Sequence, residues 1–436
     1  MPVSRQRRRE TIDALRAGTV PRRGLDLLAV GMDRFEAAVD GELESARTGA
    51  GILKAVRGEY GSGKTFFARW LQERAKRIGF AVAEVQISET ETPLHRLETV
   101  YRRLMERLST ADQEQGAFRS IVDAWFFALE EDVLAEGGDH VTEQAELLAK
   151  TNELMEKRLA AITQIAPAFS ATLRAYRTAM AAGDNATAEA LLAWVSGQPN
   201  VAAAAKRTAG IKGDVDHFGA LCFLQGLLVM LRDAGFSGLV VVLDEVETLQ
   251  RVRGDVREKA LNALRQLIDD VHGGRFPGLY LLVTGTPAFF DGPQGIQKLP
   301  PLAQRLHVDF GAEPRFDNPR AVQVRLRNFD LPGLIEVGCK VRNLFAEGSD
   351  WEDRIRSVAD DAYMSGLARA LAGRLGGKVG LAPRLFLKKL VGDVLDRIEL
   401  FADFDPRRNY ELTLSGAEMS IDEREAATVD DIELNL

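Results

Sequence analysis

The sequence predicts an α/β fold: a central parallel sheet, a large all-helical insertion and a helical C-terminal part. Three observations carry this reading. A glycine-rich turn lies between an apolar strand run and an amphipathic helix at residues 52–79. Residues 239–243 are a continuous apolar run, the pattern of a central strand covered on both faces, and 279–284 read as a further strand. Residues 94–217 are rich in Ala, Leu, Glu and Arg, with few β-branched runs, which suits helices.

Taken in order, RRRETIDALRAG puts Ile12 and Leu15 on one helical face, and Gly18 suits the position just past the helix end. Val20-Pro21 enforces extended backbone. A second helix is expected over about 33–47. ILKAVR (52–57) is a short strand, GEYGSGKT follows, and FFARWLQERAKRIG is a helix closing at Gly79. FAVAEVQIS is the next strand, which completes a strand–turn–helix–strand unit. The insertion is expected to hold four to six helices, with breaks at Gly137-Gly138, Pro167, 183–185 and 197–200. A helix to about Ala234 leads to the strand GLVVVLDE, a helix from Gly254 to Val271 and the strand LYLLVTGT. HVDF (307–310) is expected as a final short strand. From Pro332 to Phe401 the pattern is helical, with breaks at Gly366, Gly373 and Gly376-Gly377, and YELTLS has weak strand character. The expected division is an N-terminal helical segment (1–50), an α/β core (51–93 and 218–327), the helical insertion (94–217), a helical lid (328–402) and a tail (403–436).

The 436 residues are 46% hydrophobic and 28% charged, which excludes a mostly disordered or fibrous chain. Cys222 and Cys339 are the only cysteines and lie far apart, which excludes a disulfide framework or a zinc ribbon and fits a reducing, cytoplasmic setting. The N-terminus is basic, but no apolar core of a secretion signal follows. No apolar run approaches the roughly 18 residues that span a bilayer, so no membrane partner is expected. A net charge of −8 does not imply a strongly basic nucleic-acid module. The charge is uneven, with Arg5, Arg7, Arg8, Arg9, Arg22 and Arg23 near the start and an acidic stretch over 422–436. Solvated tails account for this; an N-terminal arm touching phosphates or an acidic partner face is the sharper alternative. The five histidines show no ligand spacing, so no metal beyond a nucleotide-bound Mg²⁺ is expected. Trp125, Phe126 and Phe127 suit a core better than a stacking platform, which interleaves with basic residues.

Gly58-Glu59-Tyr60-Gly61-Ser62-Gly63-Lys64-Thr65 is GxxxxGKT, the P-loop, placed between strand and helix as the motif requires. Its glycines let backbone N–H groups wrap an anionic phosphate, and the helix N-terminus adds positive charge. Phe66 follows directly and belongs to the same nucleotide-binding stretch. Lys64 is expected to reach the β- and γ-phosphates of ATP, and Thr65 to ligate Mg²⁺. Asp244, ending a buried strand, would hold the Mg²⁺ shell, and Glu245 would polarise the attacking water. Adjacent buried carboxylates are costly without a compensating cation; a capped strand end is the plainer alternative. Thr284 and Thr286 end the other apolar strand, where a polar residue would contact the γ-phosphate or the water; an ordinary strand-end turn also explains them. Arg305 stands where an arginine finger could serve a neighbouring subunit, which implies a homo-oligomer. Arg384 begins a helix of the lid and could reach the γ-phosphate. A surface or helix-pairing role accounts for either arginine equally well. With 180 residues between Lys64 and Asp244, the spacing suits an ATPase carrying an insertion better than a compact kinase.

These residues resemble the AAA+ branch of P-loop ATPases, especially its origin-recognition and helicase-loader types. Val30-Gly31-Met32-Asp33-Arg34 resembles the box upstream of the P-loop that lines the adenine, although Met32-Asp33 separates its Gly from its Arg. The chain is also similar to the BREX-system ATP-binding family, BrxC/BrxD type, and by length to the shorter BrxD. The matching stretches are IDALRAGTVPRRGLDLLAVG, VRGEYGSGKTFFARWL, ISETETPLHRLETVYRRL, VVVLDEVETL, LLVTGTPAFF, PPLAQRL and GLAPRLFLKKLVGDVLDRI, spread over most of residues 9–400. The resemblance implies an ATPase of a bacterial anti-phage defence locus, working beside a helicase or a DNA-modifying partner. A nucleotide-gated scaffold with slow turnover, and a loader that binds DNA directly, are the alternatives.

Overall fold

The computed structural model describes residues 4–137, 144–374 and 383–415. Five strands, β1 (Ile52–Arg57), β2 (Phe80–Gln86), β3 (Gly238–Asp244), β4 (Leu279–Gly285) and β5 (Gln323–Arg325), form one parallel sheet in the order β2-β3-β4-β1-β5. β4 therefore lies between β1, which ends in the glycine-rich turn, and β3, which ends in Asp244. This is the additional-strand arrangement of a P-loop NTPase. Strand periodicity splits the side chains between two layers. Leu53, Ala55, Val241 and Leu281 join one core, while Val56, Val82, Val240 and Leu282 join the other. Every residue of β3 and β4 is buried, which is why those strands show no polar alternation.

Helices α1 (Arg5–Arg16), α2 (Leu25–Leu28) and α3 (Asp33–Arg47) precede β1, and α4 (Lys64–Arg77) starts inside the turn that follows it. The insertion holds α5 (Leu97–Arg107), α6 (Phe118–Gly137), α7 (Gln144–Arg158), α8 (Ala160–Ile165), α9 (Pro167–Ala181), α10 (Asn185–Val195) and α11 (Ala203–Thr208). Among the described residues that is seven helices rather than four to six, because α8 and α11 are six-residue pieces within stretches that look like connections. Trp125 and Phe126 are core residues, whereas Phe127 is exposed. α12 (His217–Asp233) packs this bundle on the sheet, and a Cβ at its Gly226 would lie 2.3 Å from the Phe169 ring.

α13 (Gly254–His272), α14 (Pro287–Asp291) and α15 (Pro300–Leu306) complete the α/β part. α16 (Leu331–Ala346), α17 (Glu352–Val358), α18 (Asp361–Arg374), α19 (Pro383–Lys389), a π-helical turn Leu390–Leu395, α20 (Asp396–Leu400) and α21 (Pro406–Asn409) follow. They enclose a separate core that includes Leu334, Val341, Phe386 and Val394. α1 belongs to this core through Ile12 and Leu15, each worth about 1.5–3 kcal/mol when fully buried. The Arg16 guanidinium clamps α1 to Asp396 with bonds of 2.7 and 2.8 Å. The start of the chain is thus part of the C-terminal helical unit.

Three expectations are corrected. HVDF is not a strand. His307 and Asp309 pair with each other at the surface, and the Phe310 ring lies near the Arg57 and Arg325 guanidiniums. The edge position beside β1 goes to Gln323–Arg325, whose Gln323 and Val324 are buried. YELTLS forms no strand either; Tyr410, Leu412 and Leu414 pack on the C-terminal helical core. α18 runs unbroken through Gly366 and Gly373. Gly376-Gly377 and the acidic stretch 422–436 lie outside the described residues. No described helix is long and apolar enough to cross a membrane.

Candidate functional site

β1 delivers Gly58 to the open end of the sheet, where its N–H donates to Gly285 O of β4 at 3.1 Å. A Cβ at Gly58 would sit 2.2 Å from Ser62 Oγ, so a side chain there would force the Ser62 hydroxyl to move. Gly61 and Gly63 take φ of 78° and 92°, which side chains disfavour. α4 begins at Lys64, so its free N–H groups face the loop. Lys64 is buried, and its Nζ donates to Gly58 O (2.8 Å) and Glu59 O (3.2 Å), 5.0 Å from the Tyr60 ring. Ser62 Oγ is buried without a hydrogen-bond partner among the described residues, which suits a ligand that brings acceptor oxygens.

Asp244 ends β3 and is 4% exposed. Thr65 Oγ1 donates to its Oδ2 at 3.2 Å, and the Thr284 hydroxyl donates to its Oδ1. Burial pushes the Asp244 carboxyl above the usual range; the Thr284 bond opposes this, and the Glu84 and Glu245 charges add to it. A hydroxyl beside a carboxylate is the hard-oxygen donor set that Mg²⁺ takes together with substrate phosphates. Glu245 sits in the left-handed region (φ 60°), a conformation that costs on the order of 1–3 kcal/mol and gathers at functional sites. Its side chain is held at the end of β2, where Gln86 Nε2 donates to Oε2 at 2.8 Å.

Sequence reasoning missed Glu247. It lies in the short turn Val246–Gln250, is 5% exposed, and neither carboxylate oxygen has a hydrogen-bond partner among the described residues. Its Oε1 is 3.8 Å from Lys64 Nζ. Burial raises its pKa, and the Lys64 charge opposes the rise. The available signal was the third acid of Asp-Glu-Val-Glu. Gln86 was also missed, since only the pairing of β2 with β3 brings it to Glu245.

A cleft of about 270 Å³ joins these groups to an apolar wall. Val20, Leu28, Val30 and Met32 come from the N-terminal segment, and Phe329, Val337 and Leu387 from the C-terminal helical unit. This wall can take a flat aromatic base. Arg384, in the first turn of α19, lines the cleft, as do Tyr60, Phe66 and the P-loop residues 61–65. Residues 18–21 line it too; sequence reasoning used them for backbone shape and family resemblance, not for the site. Gly31 is exposed beside this wall rather than lining it. Thr284 acts on Asp244, and Thr286 is buried at the start of α14; neither lines the cleft. Arg305 stands apart on α15, bonded to the Asp269 carboxylate and to Pro301 O (2.9 Å).

A parallel additional-strand sheet, a P-loop after β1 and a buried Asp at the end of β3, one strand further across, define a P-loop nucleotide-binding protein. Within that class, the chain belongs to the BREX system ATP-binding protein BrxC/D family, whose model matches residues 3–414. No curated protein matches it.

Proposed function

We propose that the chain hydrolyses ATP as an AAA+ type motor or switch of the BREX defence system, in a homo-oligomer and beside a helicase or DNA-modifying partner. The observation that carries this reading is the gathering of Lys64, Thr65, Asp244 and Glu245 around one cleft. Lys64 would meet the β- and γ-phosphates, and Mg²⁺ would be held by Thr65 and Asp244 to offset phosphate charge. Glu245, once released from Gln86, would orient the attacking water. Arg384 would approach the γ-phosphate from the lid side, and Thr284 would position Asp244. Arg305 would have to exchange Asp269 for a neighbour's nucleotide.

Steady-state hydrolysis by wild type and Glu245→Gln, measured across protein concentration, tests this. Turnover that rises with concentration and vanishes in the variant is expected. Tight ATP binding without turnover at any concentration overturns hydrolysis. The second reading, a nucleotide-gated scaffold with slow turnover, draws on the same Gln86–Glu245 bond, which holds the water-orienting carboxylate away from its task. On that reading, Glu245→Gln still recruits its partner; on the motor reading, all function is lost.

A further inference from the structure

A second cleft, of about 860 Å³, opens between the N-terminal segment, the outer side of α4, the end of β2 and α5. Eight Lys or Arg residues line it, against four Glu. In a chain of net charge −8, this is a local reversal of sign. Most of the cations are neutralised within the protein: Arg7 and Arg77 by Glu73, Arg23 by Glu114, Arg69 by Glu84. Arg22, Lys76 and Arg107 have no carboxylate within ion-pair distance among the described residues, and each comes from a different wall. Lys76 is half-buried, and burial followed by the Arg23 and Arg22 charges pushes its pKa down. Positive charge gathered and left uncompensated in this way favours an anionic occupant.

The chemistry of the wall selects among anions. Among the described residues its only apolar ones are Val85 and Ala111, too few for the aromatic or aliphatic anchors around which protein interfaces are built. No described aromatic residue lines it, so it offers bases no stacking platform among the described residues. Guanidinium forks interspersed with Gln72, Ser88, Thr90 and Gln115 are the donors that meet phosphate oxygens. Cations on three separate elements suit a repeating charge better than a single ion.

We propose that this cleft binds nucleic acid through its phosphodiester backbone, without reading base sequence. The proposal goes beyond the ATPase reading and does not need hydrolysis. Its location is specific: residues 18–21 line the nucleotide cleft, and Arg22 and Arg23 continue into the basic one.

Fluorescence anisotropy of a short labelled duplex with the full chain, titrated with salt, tests it. Wild type is expected to bind with an affinity that scrambling the sequence changes by less than about twofold. The triple variant Arg22→Ala/Lys76→Ala/Arg107→Ala should lose roughly tenfold or more at low salt. Its log–log salt slope should be shallower by about 2–3, since each neutralised duplex phosphate contributes about 0.9. Arg107→Glu alone should bind more weakly than Arg107→Ala, which gives a readout if the triple variant folds poorly. Hydrolysis or ATP binding by the triple variant without DNA should match wild type, separating this site from the ATP site. Unchanged duplex binding by the triple variant, or no binding by wild type at low salt, overturns the proposal. So does capture of polyglutamate in preference to DNA, which would assign the cleft to an acidic polypeptide.

Discussion

The two clefts share a peptide segment and are built on opposite principles. The nucleotide cleft, about 270 Å³, carries few charges, and Lys64, Asp244 and Glu247 are each more than nine-tenths buried. The basic cleft, about 860 Å³, carries many, mostly on half-exposed or exposed side chains already in ion pairs. Burying an unpaired charge is expensive, so a site of the first kind is worth maintaining for a ligand of fixed geometry. Exposed charge costs little and is screened by salt, so a site of the second kind suits a long polyanion in variable register. ATP affinity should therefore respond weakly to ionic strength, and duplex affinity steeply.

The largest effect that separates the clefts is expected from Lys64→Ala. It removes the ammonium proposed to meet the phosphates and takes from Glu247 the cation 3.8 Å away. Binding of a fluorescent ATP analogue should weaken by about 100-fold or more, as when one partner of a buried charge pair is deleted. Duplex binding in the absence of nucleotide should not change. Glu245→Gln comes next. The analogue should bind within a few-fold of wild type, while turnover falls by roughly 10²–10⁴-fold, the usual worth of a positioned general base. A single-turnover experiment showing wild-type chemistry in this variant would remove Glu245 from the water-orienting role.

A smaller effect is expected from Glu247→Gln. Burial raises the folded-state pKa of Glu247 above the ordinary 4.5, so the native state holds the proton more tightly than the unfolded chain. Its contribution is favourable at low pH and is lost as pH rises through the folded-state value. Replacing it removes a carboxylate that burial penalises at pH 8, so the nucleotide-free protein should be more stable there, with the gain reduced by the loss of the Lys64 counter-charge 3.8 Å away. The gain should shrink toward pH 4.5, and Asp244, shifted the same way, should leave some pH dependence behind. Urea denaturation of both proteins at the two pH values checks this; equal stability at pH 8 would mean that Lys64 already compensates Glu247 in full.

What could be seen in the sequence follows from how local each feature is. β3 and β4 were legible because buried parallel strands are nearly continuous apolar runs, β1 because the glycine-rich turn follows it, and α3 because its apolar stripe repeats with helical period. The P-loop was legible because its eight residues are contiguous. β5 was not, since a three-residue strand exists only through its pairing with Ala55, Val56 and Arg57. The docking of α1 on the lid rests on Arg16 and Asp396, 380 positions apart, and no local pattern announces it. Gln86 reaches Glu245 only because β2 pairs with β3. The basic cleft was legible only in part: Arg7, Arg22 and Arg23 stand in the basic stretch near the start, but Arg69, Lys76, Arg77, Arg103 and Arg107 are scattered over α4 and α5 and join them only in the fold.

The finest distinction falls on the shared segment. Val20 lines the nucleotide cleft, while its carbonyl accepts a 2.5 Å bond from Arg69, which lines the basic one. Val20→Ala keeps that backbone bond and removes only apolar surface from the nucleotide side. At about 0.8 kcal/mol per methylene equivalent, ATP-analogue affinity should fall by roughly 3- to 10-fold. Duplex affinity without nucleotide should stay at the wild-type value, because no cation and no backbone donor has moved. Equilibrium titrations of both ligands on this variant decide the matter. An equal loss for the two would mean that residues 18–23 carry one continuous site, and the contrast between a buried cleft and a screened one would have to be abandoned.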